Sequence, residues 1–167
     1  MLNLFRKSAA RKALGQRLYG ELTARSRALV FFREFGVADT IDGRFDLMAL
    51  HGWLALEHLQ GEAAQALVDA IFIGFDEAMR EQGQGDMGLG RKMKQFADAW
   101  YGRLNAYSVA PDAPALAAAL ARNLFRGVKV DDRIRTLADY AFAAREYLRY
   151  APDGVLEFGP LPALGAL

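Results

Sequence analysis

The chain has 167 residues, 53% of them hydrophobic and 25% charged. That suits one globular domain able to bury about two thirds of its unfolded surface, and it excludes a disordered or fibrous protein. There is no cysteine, which excludes disulfides, thiolate metal sites and cysteine nucleophiles and fits a reducing compartment.

The net charge of +1 hides an asymmetry. Residues 1–36 carry eight basic side chains against Glu21 and Glu34, a balance of +6, whereas the remainder carries 13 basic and 18 acidic residues, a balance of −5. The split points to an anionic partner near the N-terminus (a membrane surface, nucleic acid or an acidic protein), set against a plain solvated helix face. No run approaches the roughly 20 apolar residues that cross a bilayer. The start has no apolar core of signal-peptide length, but it is free of acidic residues up to Glu21 and places Leu2, Phe5, Leu14 and Leu18 among cations. That pattern fits a presequence or a peripheral membrane-contact helix.

Helical spacing dominates and alternating strand patterns are absent. Ser8 is expected to cap a first helix running to about Arg27, followed by a short apolar turn or helix through Phe31, Phe32 and Phe35 that ends at Gly36. Thr40 or Asp42 opens a second helix to Leu59. Gly61 separates it from a third, Glu62 to about Gln82, with an apolar stripe of Leu67, Ala70, Ile71, Gly74, Phe75 and Ala78. Gly83, Gly85, Gly88 and Gly90 break the chain before a fourth helix, Leu89 to Tyr107. Asp112, between Pro111 and Pro114, caps an alanine-rich helix that stops at Gly127. Asp131 or Asp132 starts a last helix to about Tyr150, and the tail after Pro152 is Gly/Pro-rich and extended. The expected fold is all-α, a single-domain bundle of about six helices with no sheet. Residues 1–36 supply the basic helix and short apolar element, residues 37–150 the rest of that domain, and residues 151–167 the tail.

The second helix is apolar nearly all round, which places it in the middle of the bundle. Arg44, His51 and His58 recur on it at intervals of seven, with Asp46 and Glu57 on another stripe. This is either an internal salt bridge with hydrogen-bonded histidines or a polar seam edging a docking groove. Histidines about 10 Å apart along one helix do not share a metal ion unaided. Gly43, in the first turn, costs about 1 kcal/mol against alanine, so close approach of another backbone is expected there.

The spacing from Gly85 to Gly90 matches a phosphate loop, but Arg91-Lys92 follows where Lys and Ser or Thr are needed, and no strand precedes it. Nucleotide binding is therefore not expected. Arg91, Lys92 and Lys94 crowd the expected start of the fourth helix, where cations oppose the helix dipole by about 0.3–1 kcal/mol each when exposed. A positive patch kept beside flexible glycines is the best argument in the chain for a binding surface, with Asp86 as a cap or ion-pair partner. On the same helix Trp100 reads as core, whereas Tyr101 and Arg103 are residue types enriched at interface hot spots. No nucleophile–histidine–acid arrangement or paired glutamates at metal spacing appears, so no cofactor, metal or catalytic residue is expected.

Two strings carry a resemblance: Thr40-Ile41-Asp42-Gly43-Arg44-Phe45-Asp46-Leu47-Met48-Ala49-Leu50-His51, and Gly85-Asp86-Met87-Gly88-Leu89-Gly90-Arg91-Lys92-Met93-Lys94 continuing to Trp100-Tyr101-Gly102-Arg103. From about Tyr19 to Tyr107 the chain resembles the ubiquinol–cytochrome c chaperone family, with weaker agreement towards Tyr150. The resemblance implies a non-catalytic assembly factor that holds newly made cytochrome b, or another reductase subunit, before it is built into the respiratory ubiquinol–cytochrome c reductase. It also implies that Asp42, Arg44, Asp46, His51, Asp86, Arg91, Lys92 and Lys94 grip the client or a partner subunit, and Tyr101 and Arg103 join this expected partner-binding set on their residue types. A small co-chaperone and the ribosome are the further partners of mitochondrial relatives. The absence of a long N-terminal extension favours a bacterial form, cytoplasmic or peripheral on the inner face of the inner membrane. The alternatives are a membrane-surface or nucleic-acid-binding module using the basic N-terminal segment, and an enzyme using His51 with Asp46.

Overall fold

Caps written into the sequence divide the chain into helices. The computed structural model describes residues 2–81, 83 and 85–165, with side chains from Arg6 onward apart from those of Asp86 and Met87. The helices are α1 (Leu2–Ser26), α2 (Leu29–Arg33), α3 (Ile41–His58), α4 (Gly61–Glu81), α5 (Asp86–Ser108), α6 (Ala113–Asn123) and α7 (Asp132–Tyr150). No strand occurs among the described residues, so the fold is all-α as expected.

Thr40 caps α3 by accepting from the Gly43 N–H at 3.1 Å, Asp112 caps α6 through the Ala115 N–H at 2.8 Å, and Asp131 caps α7 through the Ile134 N–H at 3.0 Å. Each bond satisfies one of the amides that a helix start leaves without a partner. Two starts differ from expectation. α1 is already helical at Leu2, so Ser8 lies inside it and is no cap. α5 begins at Asp86 rather than Leu89, with Gly85 in extended conformation before it. Gln82, the expected end of α4, lies outside the described residues, as do the side chains of Leu2 and Phe5.

α3 is the central element and packs against α1, α5 and α7. Ten of its eighteen residues are buried, which is why its sequence shows no polar face. Gly52 explains how α5 comes so close: a Cβ there would collide with the six-membered ring of Trp100, and Trp100 itself is fully buried. α1 and α4 run side by side in the same direction. Gly15 faces Ala66 and Ala70, and the Tyr19 hydroxyl would lie 2.8 Å from a Cβ at Gly74. Small residues at these crossings let the two backbones approach.

The tail has no regular secondary structure, yet it is tied to the body. Arg17 and Arg25 of α1 donate to the Gly154 and Pro160 carbonyls, both at 2.7 Å. His58 Nε2 donates to the Pro152 carbonyl at 3.2 Å, and Asp153 accepts from the Gln60 N–H at 3.0 Å. Phe158 and Pro162 are buried. Residues 151–165 therefore form a strap across α1, the α3–α4 junction and α7.

Candidate functional site

Among the described residues Asp46 is the most enclosed charge. It sits in the second turn of α3 with no exposed surface, paired with Arg103 of α5 and, at 2.8 Å, with Arg126 from the turn after α6. Arg126 reaches it from a left-handed backbone with φ 57°, a conformation that non-glycine residues hold only where surrounding contacts impose it. Burial pushes the Asp46 carboxyl above its ordinary range, opposed by the two guanidinium groups. Burial, then the nearby Asp46 charge, likewise raises the Tyr107 hydroxyl. Asp42, 83% exposed, stands 3.8 Å from Arg126 and completes the outer edge of this cluster. Gly43 is where the close approach expected from the sequence occurs: a Cβ would strike the Ala38 carbonyl oxygen.

His51 lies in the core with no exposed atom. Its Nδ1 is 2.8 Å from the Leu47 carbonyl, which can only accept, so Nδ1 carries the proton. Nε2 then accepts from the Tyr140 hydroxyl at 2.8 Å, and that oxygen accepts from Arg25 Nε at 2.9 Å. Phe31 and Phe158 pack against the imidazole. Burial lowers its pKa to about 4, so the ring is neutral at physiological pH. His51 offers nothing to a partner at the surface, and the polar seam expected along Arg44, His51 and His58 resolves at this position into an internal hydrogen-bond chain.

The remaining sequence-singled residues divide by face. Arg44 is exposed and paired with Asp39 at 2.7 Å. Because α5 starts early, Arg91 and Lys92 fall in its second turn and Lys94 in its third. They therefore oppose the dipole less than expected, since that effect fades beyond the first turn. None of the three has a carboxylate within 4.0 Å among the described residues. The Asp86 side chain lies outside what is described. Tyr101 is 51% exposed and stacks on Phe72. Arg103 lies over the Phe45 ring at 5.0 Å while holding Asp46, so it fixes α5 to α3 and is not free at an interface.

The feature that sequence reasoning missed is a groove of about 220 Å³ where α1, α3, α4 and α5 meet. Its floor includes Phe45, Met48, Phe75, Met79 and Phe96, and the arginines lining it are Arg27 and Arg44. Phe75 stacks on Phe96 with ring centroids 3.7 Å apart. The signal lay in the α4 stripe: Leu67 and Ile71 are buried, but Phe75 is only half-buried and Ala78 is exposed. The stripe runs on past the point where the bundle covers it. Lys92 stands one turn from Phe96 on the same face of α5, which brings one of the unpaired cations to this end of the molecule.

A family model described as ubiquinol-cytochrome C chaperone matches residues 33–161. The chain belongs to that family. The crystal structure of the Cbp3 homolog from Brucella abortus superposes on this member with a TM-score of 0.79 and 36% identity, covering 98% of this chain and 96% of that one. None of the curated proteins compared with this family member matches it. The match to the family model includes the Asp46 cluster and the α3–α5 wall of the groove. Among the described residues no helix is long and apolar enough to cross a membrane, and no group of three or more metal-ligating side chains occurs.

Proposed function

We propose that this chaperone-family protein holds newly made cytochrome b while ubiquinol–cytochrome c reductase is assembled, by binding rather than by turnover. The observation that carries this reading is the uncovered apolar floor of the groove, Phe45, Met48, Phe75 and Met79, bordered by cations. A newly made membrane protein presents apolar segments that need temporary cover, and an apolar groove with a charged rim gives that cover and sets register. Methionines suit such a site because their side chains adapt to different surfaces. Membership of a chaperone family and the likeness to a Cbp3 homolog support the same direction.

In this reading Arg44, Asp42, Arg91, Lys92, Lys94 and Tyr101 contact the client or a partner such as a co-chaperone or the ribosome. Asp46 and Arg103 set the spacing of α3 and α5 behind them. The basic α1 keeps the protein near the anionic inner face of the membrane where the client is inserted. No nucleotide enters the scheme, because release follows from transfer of the client to its next partner subunit.

The test is to purify the tagged protein from its native cell in mild detergent and identify what accompanies it. Cytochrome b is the expected companion, and deletion of the gene should deplete the assembled reductase. A set of companions with no reductase component, together with normal reductase in the deletion strain, would refute the proposal. If recovery depends instead on anionic lipid or nucleic acid and collapses between 50 and 200 mM salt, as phosphate-driven binding does, the basic segment and not the groove is the binding element.

A further inference from the structure

Resting on that client-holding reading, we infer that the groove takes an apolar helical segment carrying one carboxylate, and that Arg27 is the side chain that meets it. Three observations converge. Among the described residues no acidic side chain lines the groove, whereas two arginines do, so an occupant with a negative group is favoured over a neutral or basic one. The two arginines are not equivalent. Arg44 is already engaged by Asp39 at 2.7 Å, whereas Arg27 has no carboxylate within 4.0 Å among the described residues. Arg27 is therefore the one whose charge is free for a ligand.

The shape argues for a helix. The α1 wall runs from Tyr19 to Ser26 and is continued by Arg27 in the turn that follows, and the α4 wall runs from Ile71 to Met79. Eight residues of helix rise about 12 Å, which matches two turns of an incoming helix and its anchors at i, i+4 and i+7. Ile41, 73% exposed at the mouth, adds an apolar flank that a packed helix would cover. Arg27 closes the far end of the α1 wall, so the carboxylate belongs near one end of the docked segment and not at its centre.

The experiment uses a fluorescein-labelled fifteen-residue Leu/Ala-rich helical peptide with a single Glu in its last turn, and the same peptide with Gln there. Anisotropy titrations are run on the full chain and on two variants at exposed positions, Arg27→Gln and Ala78→Trp, after thermal melts show that both fold. The Glu peptide should bind the unaltered protein about tenfold tighter than the Gln peptide. Arg27→Gln should erase that preference while leaving the affinity for the Gln peptide unchanged, and Ala78→Trp, which fills the groove, should release both.

Equal binding of the two peptides to the unaltered protein overturns the inference, and so does an Arg27→Gln variant that weakens both alike. If Ala78→Trp still releases both peptides in those cases, the groove stands as the client site and only the part given to Arg27 falls. Peptides that remain bound to Ala78→Trp place the site elsewhere and remove the groove reading itself. Binding of dodecyl phosphate but of neither peptide, sensitive to Ala78→Trp, would make the occupant a lipid and refute the helix.

Discussion

Single glycines mark where this molecule is tightest and where it is not. Gly43 and Gly102 are both helical, and in isolation each would be improved by alanine to the extent of about 1 kcal/mol. A Cβ at Gly43 meets the Ala38 carbonyl, whereas one at Gly102 meets nothing within 4 Å. Gly102→Ala should therefore raise stability by about 0.5–1 kcal/mol, and Gly43→Ala should lower it by about 2 kcal/mol or more through displacement of the chain before α3. Urea unfolding of the two variants checks the opposite signs. The first-turn position of Gly43 was readable in the sequence because propensity alone gave no reason for a glycine there. The partners of Asp46 were not. Arg103 lies 57 residues away and Arg126 reaches in from a turn whose left-handed residue carries no sequence mark, so no local rule pairs them. His51 shows the same limit: a histidine on an apolar helix reads alike whether it faces a partner or Tyr140.

At the scale of elements, the helices were legible where a cap and an apolar period agreed, as at Thr40, Asp112 and Asp131. They were misplaced where only one signal was present. Glycines at 88 and 90 read as a break, yet they lie inside α5, because packing of Leu89, Phe96 and Trp100 into the core outweighs their poor propensity. The tail is the other case. Its Gly/Pro composition correctly excludes regular structure but says nothing of what it touches. Phe158 is 5% exposed, seated edge-on against His51 and beneath Arg25. Phe158→Ala should cost about 3 kcal/mol by loss of burial and the cavity left behind. It should also raise amide exchange across residues 152–162 well before that of α3. Unchanged exchange in the strap would show that its hydrogen bonds to Arg17, Arg25, His58 and Gln60 hold it without Phe158.

For the molecule as a whole, the buried imidazole links stability to pH. The unfolded His51 titrates near its ordinary 6.5, the folded one near 4. Between those values the unfolded chain takes up a proton that the folded chain refuses. Stability from this source is therefore complete above about pH 7 and is lost as the pH falls towards 4, amounting to about 2 kcal/mol by pH 5. Tyr107 and Tyr140, both raised, act only above pH 10, and the raised Asp46 carboxyl works in the opposite sense to His51, favouring the folded chain as the pH falls. Urea midpoints at pH 8 and pH 5 should show the drop, and His51→Gln should flatten it. A variant with the unaltered slope would mean that the imidazole is protonated in the folded state.

The strap also fixes the order in which this protein can be completed. α1 leaves the ribosome well before the strap, yet two of its arginines find their carbonyl partners only at residues 154 and 160. Joining segments some 135 residues apart is a slow, entropically costly step. A nascent chain that has not yet reached residue 154 therefore leaves α1 without either of these tail contacts, so the strap fastens α1 only after the rest of the helical body has been made.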